Sequence, residues 1–134
     1  MIYYKTGYKY QISRDYGVQT SILPEKDIYT YWIELNTTGF LIIKSGYAWD
    51  GPSGPTIDTK SFMRGSLVHD ALYELMREGL LNIHWRIPVD RELIKICLED
   101  GMWRIRTMWV YFAVKTFAKR CAECGNRRKT MTAP

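Results

Sequence analysis

The middle of the chain carries one long helical pattern. Residues 61–78 read SFMRGSLVHDALYELMRE, and Gly79 follows them directly. No proline interrupts this run, and a glycine in that position is typical of a helix C-terminus. We therefore expect a helix that begins at Ser61, ends near Glu78 and buries one face. The apolar side chains that recur at helical spacing are Phe62, Leu67, Val68, Ala71, Leu72, Leu75 and Met76.

The residues before this helix show strand periodicity. Segments rich in β-branched and aromatic residues alternate with turn-like sequences, and such short connections favour an antiparallel β-meander. The four predicted strands cover residues 8–12, 18–22, 28–35 and 40–44. Between the last strand and the helix, residues 47–60 contain too many glycines and prolines for a regular element, which predicts a loop.

The residues after the first helix predict two more helices. One begins near Pro88 and runs to about Glu99, and the other covers residues 102–119. Strands followed by helices indicate the α+β class, with the first two helices as an antiparallel pair. At 134 residues the chain is expected to form a single domain, 1–134. Its parts are a sheet region 1–46, the Gly/Pro loop 47–60, a helical region 61–119 and a basic tail 120–134.

Composition and charge narrow the classes of partner. A hydrophobic content of 46% indicates a folded protein, and the net charge of +5 is modest. The basic tail is either a solvated terminus or a binding arm for nucleic acid or an anionic membrane. Nucleic-acid binding is disfavoured because the sequence contains no helix-turn-helix glycine pattern, zinc finger or aromatic RNA-binding stretch. Neither a signal peptide nor a transmembrane segment is predicted.

The cysteines predict neither a disulfide framework nor a zinc site. Cys97 falls in a helical apolar pattern and is expected to be a buried thiol. Cys121 and Cys124 form a single C-x-x-C pair, and His84 is the one further candidate ligand. Because a fourth ligand is missing, structural zinc is disfavoured.

The first helix also carries a group of polar residues. His69 and Tyr73 are four residues apart and share one helix face, while Asp70 lies about 100° further round. Since helical side chains lean toward the preceding turn, Gly65 and Ser66 are expected to leave space beside His69 and Asp70.

Two carboxylates elsewhere are expected to join this group. If the first two helices are antiparallel, Asp90 returns to His69, where a carboxylate on one imidazole nitrogen raises the basicity of the other. Such a histidine suits a general base. Asp70 is then available, with Asp50 and carbonyls of the Gly/Pro loop, to hold Ca²⁺ or Mg²⁺.

A purely structural interpretation of the same residues remains open. His69 is then a core histidine, and Asp90 caps its helix. Asp70 instead pairs with Arg64 or Arg77.

The order of these residues resembles an uncharacterised family of phage and prophage proteins, domain of unknown function 1353. The resemblance covers residues 39–117 and follows Asp50 in its loop, the His69-Asp70-x-x-Tyr73 motif, then Arg86 and Asp90, and last Tyr111 to Ala113. It implies a phage protein located in the host cytoplasm or in the phage particle, with no established activity. Partners implied by that setting are phage structural proteins or host proteins.

A narrower resemblance is to phospholipase A2, especially its small bacterial form. It implies a catalytic set of His69 as the base, Asp90 as its orienting partner and Tyr73 hydrogen-bonded to Asp90. It further implies Ca²⁺ as cofactor, with lipid or another cell-envelope ester as substrate. The implied calcium ligands are Asp70, Asp50 and the carbonyls near Gly51 and Gly54. The cysteines that usually brace the helices of that family are absent here, and the loop is longer.

Two functions are therefore expected. One is a divalent-ion-dependent, phospholipase A2-like hydrolase of lipid or envelope esters. The other is a non-enzymatic virion or tail component, or a host-interacting phage protein, in which the His–Asp cluster is structural.

Overall fold

The computed structural model describes residues 3–5, 10–49 and 60–102, together with Thr107 and Tyr111. Over these residues the order of elements, strands first and helices after, confirms the α+β class. The strands are β1 (Tyr4–Lys5), β2 (Tyr10–Ile12), β3 (Tyr16–Gln19), β4 (Ile28–Tyr29), β5 (Ile33–Leu35), β6 (Phe40–Ile43) and β7 (Ala48–Trp49). The helices are α1 (Lys60–Arg77) and α2 (Arg86–Glu99), with a 3₁₀ turn, Ile83–Trp85, between them.

The strands form two antiparallel sheets, so the prediction of one meander is wrong in part. The first sheet has the order β1-β2-β7, and the second has the order β3-β6-β5-β4. Strands β4, β5 and β6 do form a meander, but β3 pairs with the outer edge of β6, with Tyr16 opposite Ile43. A local pattern marks a strand without specifying the edge it joins, and successive strands are neighbours only about two-thirds of the time.

The predicted strand 28–35 is a hairpin. Strands β4 and β5 pair with Ile28 opposite Leu35, and the chain reverses between them. At the reversal the backbone N–H of Thr30 donates to the carbonyl oxygen of Ile33 at 2.8 Å, and the Ile33 N–H donates to Thr30 Oγ1 at 2.9 Å. Side-chain hydrogen bonds of this kind compete with a continuous strand ladder. A short strand, β7, also occupies part of the predicted loop 47–60, of which residues 50–59 lie outside the described residues.

The two sheets contribute to one core with the helices. On β5 and β6, Ile33, Leu35, Leu41 and Ile43 alternate along the strands and are fully buried. In the other sheet, the Trp49 Nε1–H donates to Ser66 Oγ on α1 at 3.1 Å. The end of β7 therefore lies beside α1, about one turn before the His69 position.

The helices lie in antiparallel contact, as predicted. Arg64, near the start of α1, pairs with Asp100, just after α2, at 3.0 Å, and its Nη1 donates to the Tyr16 hydroxyl at 2.9 Å. Both helices begin slightly before their predicted starts. Helix α2 includes Pro88 in its first turn, where the missing N–H costs no helical hydrogen bond.

At Gly65, α1 packs closely against α2. A Cβ atom built there would lie 2.8 Å from Leu93 Cδ1 and 2.9 Å from Cys97 Sγ. The expectation that Gly65 and Ser66 leave space beside His69 and Asp70 is therefore wrong. Side chains of α2 occupy the space at Gly65, and the Ser66 hydroxyl is engaged by Trp49.

The third predicted helix, residues 102–119, falls mostly outside the described part of the chain. Thr107 and Tyr111 are helical, whereas Met102 is not. The basic tail, with Cys121 and Cys124, also lies outside the described residues. Among the helices that are described, none combines the length and apolar character that a membrane crossing requires.

Candidate functional site

His69 on α1 and Asp90 on α2 are joined directly. His69 Nε2 lies 2.8 Å from Asp90 Oδ1, although the two residues are 21 positions apart in the sequence. Since the carboxylate accepts, this nitrogen carries the proton in the neutral ring, which leaves Nδ1 as the acceptor. The expected proximity of these two residues is therefore present.

Tyr73 completes a three-residue cluster around the same carboxylate oxygen. Its hydroxyl donates to Asp90 Oδ1 at 2.7 Å. Its ring stacks on the His69 imidazole, with 4.3 Å between the ring centroids and 28° between the planes. One helical turn separates Tyr73 from His69, which is why a helix presents both to the same partner.

The cluster is almost completely buried. The exposed fraction is 7% for His69, 2% for Tyr73 and 1% for Asp90. Asp90 Oδ1 receives two donors, whereas Oδ2 has no hydrogen-bond partner in the described structure. A buried carboxylate is costly unless its charge is compensated, so this second oxygen requires an explanation.

Asp70 lies on the open side of the imidazole. Its Oδ1 is 3.8 Å from His69 Nδ1, and its side chain is 35% exposed. Two structural alternatives for this residue are wrong, because Arg64 pairs with Asp100 and Arg77 approaches Glu74 at 3.9 Å. His69 thus stands between a buried carboxylate on Nε2 and a half-exposed carboxylate near Nδ1.

Asp90 does not cap its helix. Helix α2 begins at Arg86, and Trp85 occupies the N-cap position without a side-chain hydrogen bond. The Asp90 carboxylate is therefore committed to His69 and Tyr73 and not to the α2 backbone.

The surroundings of His69 favour its charged form. Burial by itself lowers the pKa of the imidazole, but the nearby Asp70 carboxylate and the hydrogen-bonded Asp90 carboxylate outweigh it. The net result is a pKa raised from 6.5. A carboxylate on one nitrogen that raises the basicity of the other suits general-base chemistry.

The face of α1 around Asp70 is acidic. Burial, followed by the charge of Glu78, raises the pKa of Glu74 to about 7. Burial likewise raises the pKa of Tyr47 well above 10.0, and the charges of Glu74 and Asp70 add to this effect.

Several predicted ligands fall outside the described residues, namely Asp50, Gly51 and Gly54. Within the residues that the structure does describe, no group of three or more His, Cys, Asp and Glu side chains is arranged to hold a metal ion. Of the predicted metal ligands, the structure therefore places only Asp70.

The sequence interpretation gave no role to Arg86, which precedes Asp90 by one turn of α2. Arg86 Nη1 is buried and has no hydrogen-bond partner among the described residues. The sequence signal that could have linked Arg86 to the site is its spacing of four residues from Asp90, because residues so spaced share one helix face.

A groove of about 600 Å³ lies elsewhere on the surface. It runs between residues 23–29 and the connection from α1 to α2, and its lining includes His84 and Trp85. Leu23, Tyr29 and Leu80 stand 50%, 67% and 48% exposed along it. None of its lining residues belongs to the His69 cluster, so the groove is a separate feature.

Comparison with known proteins identified no relative. The chain matches no protein-family model, no curated protein and no solved structure.

Proposed function

We propose that the protein is a hydrolase in which His69 activates a water molecule for attack on an ester. The observation that carries the proposal is the 2.8 Å contact between His69 Nε2 and Asp90 Oδ1, with Nδ1 directed toward the half-exposed side of the cluster. An orienting carboxylate on one nitrogen and an available second nitrogen are the usual requirements of a histidine general base.

The proposed reaction needs only the two imidazole nitrogens of His69. The Nε2–H continues to donate its hydrogen bond to Asp90. Nδ1 accepts a proton from water as the water oxygen attacks the ester carbonyl carbon. The ester C–O bond then breaks, and Nδ1 returns the proton to the leaving alkoxide. The products are a carboxylic acid and an alcohol. The second hydrogen bond, from Tyr73, holds the Asp90 oxygen in place throughout.

Asp70 fits a divalent cation beside this base. Carboxylate oxygens suit Ca²⁺, and the Asp70 side chain is partly exposed and unpaired with either Arg64 or Arg77. A cation bound there supplies positive charge that polarises the ester carbonyl. As in the phospholipase A2 resemblance, the other ligands would be Asp50 and the carbonyls of Gly51 and Gly54. Asp50 directly follows Trp49, which the structure places beside α1.

The proposed substrate class is lipid or another ester of the cell envelope, in a phage setting. This choice rests on the two family resemblances, since a base-and-carboxylate site alone does not distinguish one ester from another. The site chemistry and the substrate therefore require separate assays.

The chain offers a matched control for the base, because it contains two histidines. His69→Gln should abolish hydrolysis of 4-nitrophenyl butyrate and fatty-acid release from phospholipid vesicles, whereas His84→Gln should retain both. His84 is exposed and lies in the separate groove. Asp70→Asn should weaken Ca²⁺ binding in calorimetry. Its activity in the presence of Ca²⁺ should fall to nearly the level that is measured when EDTA removes the ion.

Hydrolysis by His69→Gln at the rate of His84→Gln would remove His69 as the base. Wild-type protein that binds neither Ca²⁺ nor Mg²⁺ by calorimetry would eliminate the ion-dependent form of the proposal. Hydrolysis of the soluble ester without fatty-acid release would reject lipid as the substrate, while the assignment of His69 as the base would stand.

The burial of the cluster favours one alternative, a non-enzymatic phage protein. At 7%, 2% and 1% exposure, His69, Tyr73 and Asp90 also suit a polar network that fixes α1 against α2. The protein would then be a virion or tail component, or would bind a host protein. A large fall in the melting temperature of His69→Ala, no hydrolysis by wild type and co-purification with assembled particles would favour this alternative.

A further inference from the structure

Two buried polar atoms at the start of α2 lack a hydrogen-bond partner among the described residues, Arg86 Nη1 and Asp90 Oδ2. The residues are four apart on one helix, so their side chains leave the same face with Cβ atoms about 6 Å apart. Their charges are opposite. The described contacts include no direct ion pair between them.

The other carboxylates on α2 and at its C-terminal end have partners of their own. Glu99 and Asp100 pair with Arg64, at 2.9 and 3.0 Å. Glu92 is buried and accepts hydrogen bonds from the backbone N–H and the hydroxyl of Ser21. Of the carboxylates on α2, Asp90 is the one with a buried oxygen that has no donor among the described residues, and it lies one turn from Arg86.

We propose that Arg86 is a positioning residue for Asp90: its guanidinium attracts Oδ2 and so keeps Oδ1 directed at His69 Nε2. A charge interaction of this kind acts across one helical turn without direct contact, because a buried site screens it weakly. The assignment also explains why a charged nitrogen is buried at this end of α2. Its catalytic meaning rests on the proposed function, whereas the charge interaction itself does not.

The interaction between Arg86 and Asp90 can be detected through the pKa of His69, because that pKa depends on the charges around the imidazole. His69 faces Asp70 and Tyr73 from its own helix and Asp90 from α2, and Arg86 lies one turn before Asp90. The positive charge of Arg86 opposes the imidazolium and shares the attraction of Asp90. Removing that charge should therefore raise the pKa of His69. Keeping a positive charge at the same position should leave the pKa nearly unchanged.

The first experiment is an NMR titration of the His69 imidazole in the full chain. Arg86→Gln should raise the titration midpoint by about half a pH unit or more, and Arg86→Lys should stay within about 0.2 unit of wild type. Arg91→Gln changes an exposed arginine on the same helix and should leave the midpoint unchanged. A folded Arg86→Gln protein with the wild-type midpoint would overturn the proposal, because a purely structural role alters stability alone.

A second measurement covers the case in which Arg86→Gln does not fold. In otherwise wild-type protein, Asp90→Asn should move the Arg86 Nε resonance and leave that of Arg91 in place. An unchanged Arg86 resonance, or one that moves instead on addition of inorganic phosphate, would assign the guanidinium to something other than Asp90. Neither readout requires activity, so a failure here is distinguishable from a failure of the hydrolase proposal.

Discussion

The Tyr73 hydroxyl donates a 2.7 Å hydrogen bond to Asp90 Oδ1, the oxygen that also contacts His69. This bond crosses from α1 to α2 inside the core, where Tyr73 is only 2% exposed. Two donors on one oxygen fix the carboxylate more firmly than either does alone. The bond therefore couples the packing of the helix pair to the orientation of the imidazole.

Tyr73→Phe should fold and lose about 1.5–3 kcal/mol of stability, the usual cost of removing a buried hydrogen bond to a charged group. Urea denaturation measures this loss. Tyr29→Phe is the matched control, because the Tyr29 hydroxyl also bonds to a carboxylate, Asp27, but on the exposed surface. A Tyr73→Phe protein as stable as Tyr29→Phe would show that the buried bond contributes nothing.

His69 should make stability depend on pH. Because its pKa is raised in the folded protein, its contribution is fully present below about 6.5 and is lost as the pH rises through the folded-state value. Asp90→Asn removes one cause of the raised pKa. The midpoint of the His69 titration, measured by NMR, should therefore fall, and the protein should lose less stability than wild type as the pH rises above 6.5. An unchanged midpoint would contradict the electrostatic role of Asp90, and the His84 resonances provide the internal control.

Glu74 should affect a lower pH range. Its carboxyl has a pKa of about 7 in the folded protein and 4.5 as the ordinary value, so folding favours its protonated form. Stability from this group is present below pH 4.5 and declines as the pH rises to about 7. Glu74→Gln should flatten the unfolding free energy between those values, measured by urea denaturation, and exposed Glu25→Gln should not. An unaltered slope in Glu74→Gln would assign the pH dependence to other groups.

Gly65→Ala should destabilise the protein by about 1–3 kcal/mol, the cost of overpacking a core, although alanine favours helices. The reason is the short distance that its Cβ would have to Leu93 Cδ1 and Cys97 Sγ. Thermal unfolding measures the loss. Adding Leu93→Ala removes one of the two contacts, so the double variant should lose less than the sum of the single variants. A stabilised Gly65→Ala protein would show that the helices separate readily.

The helix pair was the most predictable part of the fold. Helical spacing, Gly79 after α1 and Pro88 in the first turn of α2 all act locally, and the observed bounds differ from the predicted ones by one or two residues. The same local information placed Asp90 beside His69, because a short connection between two helices requires an antiparallel return.

The sheets were less predictable because their pairing is not local. Nothing around Tyr16 marks Ile43 as its partner, and the turn at Thr30 depends on a side-chain hydrogen bond within an otherwise strand-like run. Gly65 was misinterpreted for a related reason. A small residue leaves room for a neighbouring side chain, but the sequence around Gly65 does not show that Leu93 and Cys97 of α2 fill it.

The short sequence distance between His69 and Asp90 has a consequence for folding kinetics. Their contact closes a loop of 21 residues within one helical hairpin, whereas the Glu92–Ser21 hydrogen bond between α2 and the strand region spans 71. Contacts that are near in sequence cost less loop-closure entropy and tend to form earlier. We therefore expect the His69 cluster to acquire hydrogen-exchange protection in refolding before the strand region docks on the helices.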